Sequence, residues 1–131
     1  MSRDFDLLII GAGPAGMAAA LAAAPSGARI AIIDDNPVPG GQIWRDGVQA
    51  QLPAKAQRHR AALAAAENIQ LFHSTRVVAI AGPRQLLLED DASAWRVRYA
   101  KLILCTGARE LLLPFPAGPC PASPAPAACR R

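Results

Sequence analysis

Gly11, Gly13 and Gly16, within the run Gly11-Ala12-Gly13-Pro14-Ala15-Gly16, and Asp34, 23 residues after Gly11, are the residues whose types and spacing could do chemistry. Each glycine has a mechanical task. Gly11 permits a tight turn off a strand, and Gly13, lacking a side chain, lets a diphosphate approach the backbone. Gly16 lets the following helix pack against that strand. The start of a helix adds unpaired N–H groups and the positive end of its dipole, which together suit phosphate. Asp34 stands where a carboxylate can accept hydrogen bonds from ribose hydroxyls, and it disfavours a 2′-phosphorylated nucleotide. Its neighbour Asp35 reads as a solvated loop charge. A lone Gly-x-Gly-x-x-Gly is a weak signal, but a strand before it, a helix after it and an acid at this distance make it specific.

Those residues need particular elements to hold them. Residues 5–10 (FDLLII) form an almost wholly apolar run, as expected of a strand buried on both faces. The alanine-rich stretch after the glycines reads as a helix that Pro25, Ser26 and Gly27 stop. Residues 29–33 (RIAII) form a second buried strand, closed by Asp34 and Asp35. Strand, glycine turn, helix and strand make a right-handed βαβ unit with parallel strands. A Pro/Gly-rich loop spans residues 36–47, and residues 55–67 predict a second helix with Ala56, Leu63 and Ala66 inward. Strand-like segments follow at residues 69–72, 75–80, 85–88, 95–99 and 101–105, the last ending in Thr106 and Gly107. This order predicts an α/β fold: a Rossmann-like domain whose parallel sheet carries a small antiparallel insert.

Composition narrows the function classes. Apolar residues make up 52% of the 131 and charged residues 18%, a globular balance. The net charge of +4 comes from 14 basic and 10 acidic residues, but Arg130 and Arg131 are terminal, and the other basic residues are scattered. A nucleic-acid partner is not expected. Three cysteines at irregular spacing give neither a disulfide framework nor a metal-ligand pattern, and Cys105 reads as a small buried residue. No metal site, leader or transmembrane run is expected, and the cytoplasm is the default location. No side chain is a convincing catalytic acid or base. His59 reads as solvated and His73 as structural. Trp44 fits a cofactor or substrate channel as well as a packed loop anchor. Arg45 and Arg109 could pair with phosphate or carboxylate, or form ordinary surface ion pairs.

The βαβ unit alone leaves FAD and NAD open. The stretches FDLLIIGAGPAGMAAALAAA, IAIIDDNPVPGGQIWR and KLILCTGARELLLPFP resemble the two-dinucleotide-binding-domain flavoproteins, a superfamily that includes the pyridine nucleotide–disulfide reductases. The resemblance implies FAD as cofactor. Gly40, Gly41 and Gln42 would run past the ribityl and isoalloxazine end, and Thr106, Gly107 and Ala108 would pass close to the flavin. The pattern PGGQIWR with TGARE and LPFP is most similar to flavin subunits related to opine oxidase, hydrogen cyanide synthase and proline or hydroxyproline dehydrogenase. Such relatives imply dehydrogenation of a C–N bond in a small amine or imino-acid substrate, with hydride passing to flavin N5 and an imine left for hydrolysis. Partner subunits of a heteromeric dehydrogenase are implied too. Cys105, where the family usually has alanine, and Pro25-Ser26, where it usually continues the helix, are small departures.

The resemblance also bears on the chain's end. Residues 1–116 read as the N-terminal part of the FAD-binding domain, and residues 117–131 (AGPCPASPAPAACRR) as a disordered tail. Family members continue with a stretch close to GWTLPGVTGAGGLQA. In GC-rich codons, dropping its first base and reading on yields residues 117–130, so an out-of-frame tail is expected, with a natural Pro/Ala linker as the rival. On that reading the domain is incomplete, FAD is held weakly or not at all, and the chain is inactive alone. An NAD-binding dehydrogenase domain and a non-catalytic nucleotide-binding module are the alternative functions.

Overall fold

The computed structural model describes residues 2–44 and 51–108. The expectations for Arg45, Arg109 and residues 117–131 lie outside the described residues. The chain forms β1 (Ser2–Ile10), α1 (Pro14–Ala23), β2 (Ile30–Ile33), α2 (Ala54–Ala65), β3 (Ile69–Phe72), β4 (Arg76–Gly82), β5 (Gln85–Glu89) and β6 (Ala94–Leu104). A single 3₁₀ turn, Ala24–Ser26, follows α1, and Gly27 at φ 73° ends it in the left-handed region. Pro25 and Gly27 thus stop the helix as their chemistry requires.

The strands make one six-stranded sheet in the order β3-β2-β1-β6-β5-β4. Pairing is parallel from β3 through β2 and β1 to β6, and antiparallel from β6 through β5 to β4. This is the expected α/β architecture with an antiparallel insert. β6 differs from expectation. Two strands were expected, at residues 95–99 and 101–105, because the pattern changes from alternating to continuously apolar. No turn residue separates them, and one strand of 11 residues results. Its beginning pairs with both β5 and β1, and the remainder pairs with β1 alone among the described strands. Pairing with residues 96–99 also draws the start of β1 back to Ser2.

Two cores explain the apolar runs. Side chains of a strand alternate between faces, so Leu7, Ile9, Ile30 and Ile32 pack on one face against Met17 and Ala20 of α1 and Leu63 of α2. On the other face Leu8, Ala31 and Ile33 pack against Leu86, Leu88, Trp95 and Val97, so the antiparallel insert folds over the parallel half. β2 is buried at every position for this reason. Ala56 and Leu63 are buried in α2 as expected, whereas Ala66 lies at its C-terminal cap, half-buried. Asn68 donates to the carbonyls of Ala24 and Ala28, both at 2.9 Å, and ties the end of α1 to the start of β3. No described helix is long and apolar enough to cross a membrane.

Candidate functional site

A cleft of about 780 Å³ opens at the carboxyl ends of the parallel strands, bordered by Ile10, Ile33 and Cys105. That end of an open parallel sheet is where α/β proteins bind ligands. The strand ends are stitched together there. Gly11 N–H donates to the Ile33 carbonyl at 2.7 Å, Cys105 N–H to Ile10 at 2.8 Å and Asp34 N–H to Phe72 at 3.0 Å.

The three glycines of the first loop have unequal surroundings. Gly11 sits at φ 104°, and a Cβ there would lie 2.3 Å from the Cys105 carbonyl oxygen. A Cβ at Gly16 would lie 1.8 Å from the Gly11 carbonyl oxygen. Both positions are closed to any side chain by backbone. Gly13 is ordinary in conformation, at φ −72° and ψ −175°, and the nearest atom to a Cβ there is the Gly41 Cα at 3.9 Å. The fold itself tolerates a side chain at Gly13; an approaching ligand would not. Gly13 is also the N-cap of α1, with no side-chain cap. Pro14 at the first helical position gives up an N–H the helix could not use, and the remaining first-turn amides lack intrahelical acceptors.

Of the expected residues, Gly11, Gly13, Pro14, Ala15, Asp34, Gly41, Gln42, Thr106 and Gly107 line the cleft. Ala12, Gly16 and Gly40 are buried behind it. Asp34 has a task its spacing does not reveal. It is 6% exposed, and its carboxylate is engaged by protein donors. Oδ2 accepts from Ala12 N–H, and Oδ1 accepts from Asn36 N–H at 2.8 Å and Asn36 Nδ2 at 2.7 Å. Asp35 is the exposed carboxylate on the cleft wall, contacted by Asn36 Nδ2 at 3.2 Å.

The second loop crosses above the first. Gly40 N–H donates to the Ala12 carbonyl at 2.8 Å, and Trp44 N–H to the Gly40 carbonyl at 3.0 Å. Gly41 is at φ 59°, with its Cβ direction 3.0 Å from the Gly13 Cα. Trp44 is an anchor: it packs on the helix-side core and stacks on His59 with ring centroids 5.3 Å apart. His59 is therefore half-buried against an indole rather than solvated. His73 is exposed, and its carbonyl accepts from Thr75 Oγ1 at 2.7 Å.

Asn36, Thr75, Arg76 and Val77 also line the cleft and went unnoticed in the sequence. The last three arrive because Thr75 N–H donates to the Asp34 carbonyl at 2.9 Å. That bond depends on β2–β3 pairing, for which the sequence carries no local signal. Arg76 donates through Nε and Nη2 to Glu89 Oε2 at 3.1 and 3.0 Å, an exposed pair.

Residues 5–125 match the pyridine nucleotide-disulphide oxidoreductase family. An opine oxidase subunit from Rhizobium meliloti (strain 1021) is 33% identical over 120 residues, covering 85% of this chain and 26% of the relative. The HcnB subunit of hydrogen cyanide synthase from Pseudomonas aeruginosa is 34% identical over 119 residues, covering 83% of this chain and 26% of the relative. Among solved structures, L-proline dehydrogenase from P. horikoshii superposes with a TM-score of 0.65 at 21% identity, over 81% of this chain and 23% of that one. Thioredoxin reductase from Streptococcus pyogenes superposes with a TM-score of 0.59 at 27% identity, over 85% of this chain and 38% of that one. The chain spans about a quarter or less of the length of the curated relatives it matches first. With its glycine loop, parallel sheet and matched sequence, the chain belongs to the pyridine nucleotide-disulphide oxidoreductase family, a family of FAD-dependent oxidoreductases.

Proposed function

We propose that this chain is the FAD-binding portion, residues 1–116, of an oxidoreductase that dehydrogenates the C–N bond of a small amine, imino acid or opine. The observation that carries the cofactor assignment is Gly13, a position the fold leaves open and a ligand would fill. The diphosphate would rest against the uncapped first turn of α1, as anions do at helix N-termini. Asp34, on the cleft lining, takes the ribose hydroxyls as well as fixing the glycine loop through Ala12 N–H, with the exposed Asp35 beside it as a further acceptor. Gly41 and Gln42 on one side and Thr106 and Gly107 on the other border the remaining length of the cleft, toward the flavin. Bound flavin supplies the two-electron acceptor, and the protein's share is binding, orientation and electrostatics.

The substrate class rests on relatives whose names specify opine oxidase, sarcosine oxidase and hydrogen cyanide synthase, each of them one component of a multi-subunit enzyme. By the same reasoning the chain works with partner subunits. No described residue is assigned as catalytic acid or base.

The decisive experiment compares FAD binding by the wild-type chain and by Gly13→Ala, followed by flavin absorbance and fluorescence quenching. The expected result is saturable binding of added FAD by the wild-type chain, weaker than an intact domain would show, and a variant with unchanged circular dichroism whose FAD affinity falls at least about a hundredfold, the equivalent of roughly 3 kcal/mol. Equal affinity in both would remove the assignment. Binding of NAD with no flavin band would replace it with a nicotinamide-linked dehydrogenase domain.

A further inference from the structure

The loop at residues 39–44 borders the cleft but is held from outside it. Three contacts run back to α2. The Arg60 guanidinium donates through Nη2 to the Pro39 carbonyl and to the Trp44 carbonyl, the latter at 3.3 Å. Gly40, at φ 141°, leaves room for that guanidinium, since a Cβ there would lie 2.9 Å from Arg60 Nη2 and 2.2 Å from the Trp44 carbonyl oxygen. The His59 ring stacks on the Trp44 indole with an interplanar angle of 23°. Arg60 itself does not line the cleft. The Pro39 and Trp44 carbonyls bracket Gly41 and Gln42, which do.

We propose that Arg60 is a positioning residue for the cofactor: by clamping both ends of the 39–44 loop it sets the height of Gly41 and Gln42 over the glycine loop, and thereby the affinity for the flavin half of the dinucleotide. The inference rests on the FAD reading above. A guanidinium suits this task better than an ammonium, because the two hydrogens of Nη2 lie in fixed directions in its plane whereas an ammonium rotates. Binding energy then depends on a loop already in place rather than one ordered by the ligand.

The test titrates the full chain and its Arg60→Ala and Arg60→Lys variants with FAD and, separately, with ADP, which lacks the riboflavin half. Hydrogen exchange at the Trp44 amide, bonded to Gly40, is followed without ligand. Arg60→Ala should weaken FAD binding about tenfold, leave ADP binding within about twofold, and speed exchange at Trp44 while the β1 and β2 amides stay protected. Arg60→Lys should recover part of the FAD affinity. Equal weakening of FAD and ADP, or unchanged exchange at Trp44, overturns the positioning role. A wild-type chain that binds neither nucleotide sinks the FAD reading instead, and the exchange measurement still decides whether Arg60 holds the loop.

Discussion

Two loops meet at the carboxyl end of the parallel strands, and they are built on opposite plans. The loop between β1 and α1 keeps its shape through missing side chains: Gly11 and Gly16 sit where backbone carbonyls leave no space. The loop after β2 keeps its shape through borrowed side chains: Asp34 beneath it, Trp44 at its end, and His59 and Arg60 from α2. The first is fixed by close backbone packing at Gly11 and Gly16, the second by side chains that reach it from as far as 21 residues away. A loop shaped by backbone packing needs only its neighbouring strands in place. A borrowed one exists only once the helix that lends to it has docked.

Substitutions can break or sharpen that contrast. The largest effect is expected at Gly16→Ala. Its Cβ would press on a backbone oxygen that cannot rotate away, so the loss should be roughly 3 kcal/mol. Thermal unfolding should show this as a midpoint lowered by more than about 10 °C. A small shift would mean the first loop is less rigid than its contacts say. Asp34→Ala comes next, at about 2 kcal/mol, because the buried Ala12 N–H and the Asn36 donors lose their acceptor. Asp34→Asn should fall between, since an amide offers one acceptor oxygen where the carboxylate has two. Urea unfolding of the three proteins orders them.

His59→Ala should cost less, about 0.5–1 kcal/mol for the lost ring stack, with faster amide exchange confined to the second loop. Exchange spreading to the glycine loop would show that the two are not separable. Gly13→Ala closes the series with the opposite sign. Its backbone conformation suits alanine, so stability should hold or rise by up to about 0.5 kcal/mol even though the cofactor is excluded. A third turn, between β5 and β6, gives a local reference. There the N–H groups of Ala92 and Ser93 hold the Asp90 carboxyl below its ordinary range. Its small contribution is present at neutral pH and fades as pH falls through and below 3.8, so Asp90→Ala should flatten the acid limb of a stability profile.

The same contrast explains what could be read from the sequence. The glycine loop, both buried strands and the α/β class were legible because their signals are local: spacing, apolar runs and turn residues. Gly11 and Gly16 meet the backbone they were expected to meet. Asp34 was legible as a strand-ending acid but not as an inward-facing one. How far each of the two adjacent cleft-lining carboxylates is engaged by protein donors depends on the pleat of β2 and on Asn36. Thr75, Arg76 and Val77 were invisible because β2–β3 pairing brings them in. His59 looked solvated because it sits in a basic helix, and its partner Trp44 lies across a loop. β6 was divided in two because the change from alternating to apolar residues marks a change of neighbours, which a one-dimensional pattern cannot tell from a break.

That undivided strand behaves as a ruler. Trp95 and Val97 are pinned in the far core, and from that fixed end the extended backbone measures out where Thr106 and Gly107 emerge. A slip of one residue would turn both pinned side chains to the wrong face and shift Thr106 by about 3.3 Å. The tryptophan at one end of β6 therefore calibrates the mouth of the cleft at the other, without touching anything bound there.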